Sequence, residues 1–205
     1  MSLQKVLESE DVVSLAQILL GATITTHFDG VTTAGIITET EAYKAPEDKG
    51  SHAHGNKRTK RTETLFAKAG TSYVYLCYGI HHLFNIVTGP KDTAHAVLIR
   101  AIQPSIGQND MWSRRAIKSK GYSITNGPGK LTQALGIKTT HNGIDLLSDD
   151  SPISITLSKE KLSSKDIVAS PRVGIAYAQE CAHWPWRFRI KDNAWTSLPH
   201  DVKYD

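Results

Sequence analysis

The chain has 205 residues, of which 40% are hydrophobic and 21% charged, and its net charge is +4. That composition is ordinary for a globular protein, and two cysteines are too few for a disulfide-stapled scaffold, so a reducing compartment such as the cytoplasm is expected. No apolar run reaches the roughly 18 residues that a membrane-spanning helix needs, and the first residues lack the pattern of a secretory signal.

The N-terminal part of the chain predicts a helix followed by a hairpin. Residues 11–20 place apolar side chains on one helical face, and Gly21 is a stop signal. Residues 22–43 alternate between apolar and polar side chains on both sides of Asp29-Gly30, which predicts two strands joined by a tight turn.

The next segments predict a loop, a short helix and a second hairpin. Residues 44–60 are rich in proline, glycine and charge, and a short helix is expected near residues 61–68. A strand is predicted at Ser72–Cys77, with Gly79 in the turn and a return strand at Leu83–Val87.

The remaining elements complete one domain that spans residues 1–205. A buried strand at residues 96–104 is expected to stop at Pro104. A helix around residues 107–117 and a shorter one from Leu131 follow. Two further strands are predicted within residues 151–157 and 187–191. The predicted fold class is α+β, a mostly antiparallel curved sheet with surrounding helices and a protruding β-hairpin.

Basic residues are concentrated in two places. One is the cluster Lys57–Arg61, and the other is Met111–Ile144, which contains six lysines or arginines and no acid (Arg114, Arg115, Lys118, Lys120, Lys130, Lys138). Such stretches suit a polyanionic partner, because phosphate contacts need positive charge but no particular sequence. A solvated basic surface is the alternative interpretation.

Glu39, Glu41 and Tyr43 share one face of a predicted strand, since side chains alternate with a period of two. Two like charges on one face repel, so at least one should meet water or a cation. An exposed strand face, a metal site and a pocket built around one general base all fit this spacing. The spacing does not rank the two acids.

Histidines near this strand offer a second candidate site. His52 and His54 could begin a metal site, and His81-His82 could add ligands. No cysteine pair, HExxH motif or Asp-rich loop accompanies them. A pocket-lining imidazole, with one nitrogen as donor and the other as acceptor, fits better.

Asn85 and Arg100 lie inside otherwise apolar strands, and each must find a polar partner there. For Arg100 the sequence offers Glu39 or Glu41. Pairing of this kind is compatible with a purely structural role and with the orientation of a catalytic glutamate and its water.

The tyrosines of the second hairpin fall into two groups. Tyr73 and Tyr75 share a strand face, whereas Tyr78 lies at the turn, where an exposed ring could act as a wedge or a stacking surface. Packing of all three against the sheet is the alternative. Cys77 is expected to be a small buried hydrophobe.

Together these segments resemble the alkyladenine or 3-methyladenine DNA glycosylases, in order and over nearly the whole chain. The matching segments are ETEAY (39–43), PED (46–48), His52, Thr59 to Arg61, GTSYVYLCYG (70–79), Asn85, LIRAIQP (98–104), GPGKL (127–131) and RVG (172–174). The resemblance implies a monofunctional enzyme that flips alkylated or deaminated purines (the 3-methyladenine, hypoxanthine and ethenoadenine class) from duplex DNA. It would hydrolyse their N-glycosidic bond and leave an abasic site for base-excision repair.

The resemblance also implies roles for individual residues. Glu41 would activate the attacking water and Arg100 would help to hold it. Tyr43, His52 and Tyr75 would enclose the flipped base, while Asn85 would exclude normal guanine and Tyr78 would fill the gap in the duplex. The expected contacts to the DNA backbone are Lys57, Thr59, Arg61 and Lys130. No metal or other cofactor is implied; the partner would be double-stranded DNA with a damaged purine, bound by a monomer without membrane association, at the nucleoid in a bacterium or in the nucleus in a eukaryote.

Overall fold

A computed structural model describes residues 2–117 and 121–204 of the chain. The strands are β1 (Thr23–Phe28), β2 (Val31–Lys44), β3 (Ser72–Cys77), β4 (His81–Thr88), β5 (His95–Ile106), β6 (Ile153–Thr156), β7 (Ile167–Ser170) and β8 (Arg187–Ile190). The α-helices are α1 (Leu3–Leu7), α2 (Val12–Ile18), α3 (Gln108–Arg115) and α4 (Pro128–Leu135). Short 3-10 helices lie at His54–Asn56, Glu63–Phe66, Tyr122–Ile124, Thr139–His141, Ser164–Asp166 and Ala176–His183.

All the strands join one antiparallel sheet, which confirms the predicted α+β class. The order is β3-β4-β5-β2-β1-β6, and β8 pairs with both β2 and β7. The 14-residue strand β2 is central because β5 pairs along one of its edges, while the other edge is shared by β1 near its start and β8 farther along.

Both predicted hairpins are confirmed. Asp29 and Gly30 connect β1 to β2 with positive φ angles of 53° and 77°. The second turn contains Tyr78 and Gly79, with φ angles of 51° and 74°. Strand β4 begins at His81, two residues before the predicted Leu83, because the ladder continues to a pairing of His81 with Cys77.

The prediction that Pro104 ends its strand is wrong, since β5 continues to Ile106. Pro104 lies opposite Gly35 at a register shift between β2 and β5, and β4 pairs with β5 only as far as Leu98. A proline is tolerated at such a bulge because no ladder hydrogen bond from its nitrogen is needed there.

Three smaller predictions also need correction. Helix α4 begins at Pro128 rather than Leu131, because proline fits the first helical turn, where its missing N–H is not needed. Only a 3-10 turn, Glu63–Phe66, forms where a helix was predicted near residues 61–68. Strand β7 was not predicted, because its four residues do not alternate between apolar and polar side chains.

Alternation along the strands separates the main core from the rest of the molecule. Ile37, Val74, Phe84, Val97 and Ile99 belong to the core that the α-helices cover. On the other face of the sheet, neighbours of the last four of these residues line a large cavity, which places the candidate site on the face away from α2: Tyr73, Tyr75, Leu83, Ala96, Leu98 and Arg100. No helix among the described residues is long and apolar enough to cross a membrane.

Candidate active site

The cavity on the second face of the sheet has a volume of about 720 Å³, in the range typical of ligand sites. Its floor is formed by strands β2, β3, β4 and β5. The hairpin β3–β4, the loop after β2, the start of α4 and the segments after β7 and β8 form its walls. Of the predicted site residues it is lined by Glu41, Tyr43, His52, Arg61, Tyr75, Tyr78, Arg100 and Lys130.

One row of directly opposed residues crosses the sheet beneath the cavity. In order, Tyr73 pairs with Asn85, Asn85 with Leu98, Leu98 with Glu41, and Glu41 with Arg187. Asn85 is buried in this row, and its amide donates to the Tyr73 carbonyl (3.1 Å). Because Asn85 is not among the residues that line the cavity, its proposed exclusion of guanine stays a prediction.

Glu41 is fully buried, and its two carboxylate oxygens have different partners. Oε2 accepts a hydrogen bond from the Tyr43 hydroxyl at 2.8 Å. Oε1 accepts one from the backbone N–H of Val173 at 2.7 Å, and Nη1 of Arg100 lies 3.3 Å from the same oxygen. Two hydrogen bonds and one ion pair therefore hold the side chain at the cavity floor, and the exposed-face interpretation is wrong for this residue.

Glu39 is also fully buried, but it does not line the cavity. Its Oε1 lies 2.6 Å from Nε of Arg100 and 2.8 Å from Nε of Arg187, and Ser197 donates to both of its oxygens. Burial alone would raise the pKa of Glu39, but the two guanidiniums and Ser197 outweigh it and hold that pKa below its usual value. Glu39 is thus a structurally paired carboxylate.

A double irregularity in the β2–β5 ladder brings Arg100 to both acids. Glu39 pairs with Ala101 and Thr40 with Ile99, so Arg100 is an extra residue on β5 with no partner across the ladder. Bulges of this kind re-aim a side chain. The sequence offered Glu39 or Glu41 as the partner of Arg100, and in the structure Arg100 contacts both.

Tyr43 is held from behind by a buried ion pair. The guanidinium of Arg172 lies 4.6 Å from the centre of the Tyr43 ring, and it binds the carboxylate of Asp48 with two hydrogen bonds. Arg172 and Asp48 are both fully buried. Burial, followed by the neighbouring negative charge of Glu41, raises the pKa of the Tyr43 hydroxyl, so Tyr43 stays a hydrogen-bond donor to Glu41.

His52 lies against two tyrosines and one arginine. Its Nδ1 is 2.9 Å from the Tyr73 hydroxyl, its ring meets Tyr75 edge-on with centroids 4.6 Å apart, and Nη2 of Arg61 is 3.4 Å from its Nε2. Arginine can only donate, so Nε2 accepts and Nδ1 carries the proton. Burial, and secondarily the charge of Arg61, lower the pKa of His52 to about 4, so the ring is neutral at neutral pH.

The lowered pKa of His52 predicts that the folded protein loses stability in acid. Unfolded His52 takes up a proton near its ordinary pKa of 6.5, whereas the folded protein resists protonation down to about 4, so stability is lost as pH falls through this window. We expect His52→Gln to reduce the loss of unfolding free energy between pH 7 and pH 4.5 by roughly 2 kcal/mol, measured by urea denaturation. His54→Gln, at an exposed position, is the control; equal acid sensitivity in all three proteins would contradict the prediction.

The hairpin tip presents apolar side chains to solvent. Tyr78 is 86% exposed and Ile80 is 72% exposed, and the Tyr78 ring borders the cavity. The expectation that Tyr78 is exposed at a turn is confirmed. Cys77 is half-buried and lines the cavity, so the expectation of a fully buried thiol is wrong. The reason is that Cys77 is the last residue of β3, where the sheet no longer covers it.

The four residues predicted to contact DNA lie around the cavity or on the loop beside it. Arg61 and Lys130 line the cavity, with the Arg61 guanidinium 5.4 Å from the centre of the Tyr75 ring and Nζ of Lys130 2.9 Å from Oδ1 of Asn126. Lys57 and Thr59 are exposed on the loop. Of the second basic stretch, Lys118 and Lys120 lie outside the described residues.

The histidines do not converge as the metal hypothesis requires. Nδ1 of His54 is 2.8 Å from the Pro46 carbonyl, away from the Tyr73 hydroxyl that His52 contacts. Over residues 2–117 and 121–204, no group of three or more His, Cys, Asp or Glu side chains could hold a metal ion.

Several residues of the site were assigned no role by sequence reasoning. Asp48 and Arg172 occur in matched motifs (PED and RVG), and that match was the available signal. Arg187 and Ser197 had no signal beyond an arginine in a short strand and a serine in a loop. The sequence contains no signal for the backbone N–H of Val173, because every residue except proline carries this donor.

Comparison with known proteins identifies the family to which this chain belongs. Residues 6–194 match the family model described as methylpurine-DNA glycosylase. The chain belongs to this family. The protein is accordingly a DNA glycosylase, as the resemblance of its motifs implied.

Individual relatives are similar to this chain over nearly the full length of both proteins. The chain is 49% identical over 183 residues to a protein of Chlamydia pneumoniae, covering 89% of this chain and 91% of the relative. It is 42% identical over 193 residues to a protein of Bacillus mycoides, covering 91% of this chain and 95% of the relative. Both relatives carry a provisional 3-methyladenine DNA glycosylase name.

Proposed function

We propose that this glycosylase flips alkylated or deaminated purines out of duplex DNA and hydrolyses their N-glycosidic bond, using a water activated by Glu41. The observation that carries the proposal is the fully buried Glu41 carboxylate at the floor of an aromatic cavity. The names of the relatives in Chlamydia and Bacillus, which refer to 3-methyladenine, support the same substrate class.

The hydrogen bonds of Glu41 leave one acceptor position on Oε2 open for a water. A carboxylate has two lone-pair positions on each oxygen. The Tyr43 hydroxyl occupies one on Oε2, and the Val173 N–H occupies one on Oε1, which also lies 3.3 Å from Nη1 of Arg100. The second position on Oε2 can accept a proton from a water in the cavity. The fixed donors keep this oxygen in place, as a general base requires.

The proposed reaction is a hydrolysis without a covalent enzyme intermediate. The C1′–N bond breaks with its electron pair moving to the departing purine, water oxygen bonds to C1′, and the proton of that water passes to Glu41. As the bond breaks the sugar gains positive charge, which the nearby carboxylate stabilises. The products are a free base and an abasic site. A cationic alkylated purine leaves as a neutral base, whereas a neutral purine such as hypoxanthine leaves as an anion that takes up a proton from solvent, and Glu41 returns its own proton to solvent.

The walls suit a purine that is flat and often cationic. Tyr43 and Tyr75 offer electron-rich ring faces, on which an alkylated base stacks favourably. The neutral His52 and the neutral Tyr43 hydroxyl add no charge that would repel a cationic base. Damaged pairs cost less to open, which adds selectivity. We propose that the protein acts as a monomer, given its small size of 205 residues and a task that needs one cavity.

A glycosylase assay tests the function directly. The protein is incubated with a duplex containing a single hypoxanthine or 1,N6-ethenoadenine, and the strand is then treated with alkali, with and without chelator. We expect strand cleavage at the lesion and release of the free base in both arms. Salt-dependent binding without an abasic product would instead indicate a non-enzymatic DNA-binding protein, and loss of cleavage with chelator would indicate a metal-dependent hydrolase.

The hairpin tip gives a separate prediction about lesion retention. In the proposed complex the Tyr78 ring replaces the flipped base in the stack, and such stacking is worth about 1–3 kcal/mol. We expect Tyr78→Ala to weaken binding to lesion-containing duplex by roughly 10-fold, with a smaller loss on undamaged duplex, measured by fluorescence anisotropy.

Ile18→Ala is the control for this measurement, because Ile18 is a half-exposed apolar residue of α2, on the other side of the sheet. Its binding should match that of the wild-type protein on both duplexes. Equal losses on damaged and undamaged duplex in Tyr78→Ala would refute the wedge role.

A further inference from the structure

Glu39 is a buried carboxylate that never reaches the cavity, yet four donors bind it. Oε1 accepts from Nε of Arg100, Nε of Arg187 and the hydroxyl of Ser197, and Oε2 accepts from the backbone N–H of Ser197. A carboxylate engaged in this way has little freedom to move. Two of its partners, Arg100 and Ser197, line the cavity. Arg100 also lies within ion-pair distance of Glu41, so it is the route by which Glu39 can act on that carboxylate.

The contacts of Arg100 show what Glu39 controls. The guanidinium places Nε on Glu39 at 2.6 Å and Nη2 on the Ser197 hydroxyl at 3.1 Å, and only Nη1 faces Glu41, at 3.3 Å. Arginine and carboxylate usually pair through two parallel hydrogen bonds of about 2.7–2.9 Å. The contact between Arg100 and Glu41 is therefore single and long, although Glu41 is near enough for a tighter pairing.

We propose that Glu39 is a positioning residue that turns Arg100 away from bidentate pairing with Glu41 and so keeps Oε2 of Glu41 free to accept a proton from water. This inference rests on the proposed function. Without Glu39, the guanidinium is free to rotate about its stem and to occupy both oxygens of Glu41.

The charges around Glu41 reinforce this effect. Glu39 and Glu41 face Arg100 and Arg187, which gives two buried negative and two buried positive charges. Removing the charge of Glu39 leaves an excess positive charge, which favours the ionised form of Glu41 and weakens it as a base. The titratable or charged groups that face Glu41 from the surrounding elements are Glu39 and Tyr43 on β2, Arg100 on β5, Arg187 on β8, Tyr75 on β3 and Arg172 after β7.

The test is the single-turnover rate of base excision as a function of pH, measured with Glu39→Gln on a hypoxanthine-containing duplex. We expect the maximal rate to fall by about 100-fold, because the Glu41 carboxylate, which is the general base, is misplaced and partly occupied by Arg100. We also expect the acid limb of the profile to move to lower pH by roughly one unit, because Glu41 pairs more closely with Arg100. Lesion binding should be unchanged, since Glu39 does not line the cavity.

Two results with Glu39→Gln would overturn the proposal. One is a wild-type rate and profile. The other is a lower maximal rate with an unmoved acid limb, which would mean that Glu39 only supports the fold. Should this variant fail to fold, Glu39→Asp decides the question, since it keeps the charge but withdraws the carboxylate from Arg100. Its expected result is a lower maximal rate, unchanged lesion binding and an acid limb moved to lower pH, because the released Arg100 pairs more closely with Glu41. A wild-type rate, or a lower rate with an unmoved limb, would overturn the proposal.

Failure of this inference is distinguishable from failure of the proposed function. If the wild-type protein excises no lesion, the proposed function is wrong. If the wild-type protein excises and the Glu39 variants behave identically to it, only the positioning role is wrong.

Discussion

Glu41→Gln is expected to lower the single-turnover rate of lesion excision by at least about 100-fold, and by up to about 10⁴-fold, while the variant still binds lesion-containing DNA. The glutamine amide keeps the size of the side chain but cannot accept a proton from water, and general-base catalysis typically contributes a factor of this order. The measurement is alkali-revealed cleavage of a hypoxanthine duplex, with binding followed by anisotropy.

Glu47→Gln is the matched control, because Glu47 is an exposed acid a few residues away on the loop after β2. It makes the same chemical change outside the cavity and should excise at the wild-type rate. Undiminished cleavage in Glu41→Gln would eliminate Glu41 as the base, whatever the control shows.

Asp48→Asn is expected to lower the free energy of unfolding by about 3–5 kcal/mol, because it leaves the fully buried guanidinium of Arg172 without its counter-charge. Loss of the ion pair also releases the Arg172 guanidinium, which supports the Tyr43 ring from behind. Urea denaturation at neutral pH measures the first effect, and reduced affinity for lesion DNA in the folded variant would report the second.

The control for this experiment is Glu63→Gln, which breaks an ion pair with Arg58 at the surface. Solvent screens exposed pairs, so little change in stability is expected there. A wild-type unfolding free energy in Asp48→Asn would show that the buried pair does not stabilise the fold, and would remove the argument that it supports Tyr43.

Sequence patterns predicted the strands of the sheet better than its short connections. Strand β2 alternates over enough residues to establish a period of two, β3 and β5 contain apolar runs, and the turns at Asp29-Gly30 and Gly79 carry their own residue preferences. Strand β7 does not alternate, and it acquires its conformation by pairing with β8. Pro104 misled the prediction because a proline stops a regular ladder but not one that is already interrupted by a bulge.

The candidate site was predictable where a residue is informative by its type and neighbours. Arg100 within an apolar strand required a buried acid, and Tyr78 beside Gly79 indicated an exposed turn. The support of Tyr43 by Arg172 was not predictable, because a residue 129 positions farther along the chain becomes its neighbour only after folding.

The sequence by itself predicted most strands of the sheet and, through its family motifs, predicted Glu41 as the working glutamate. Only the tertiary structure decided that Glu39 and Glu41, two residues apart on one strand, have different surroundings. Val173 and Tyr43 hold Glu41 at the cavity floor and leave one lone-pair position on Oε2 to spare, whereas Arg187 and Ser197 help to saturate Glu39 beneath it. The physical reason is that the chemistry of a buried carboxylate depends on the donors and charges around it, and distant segments of the chain supply most of them.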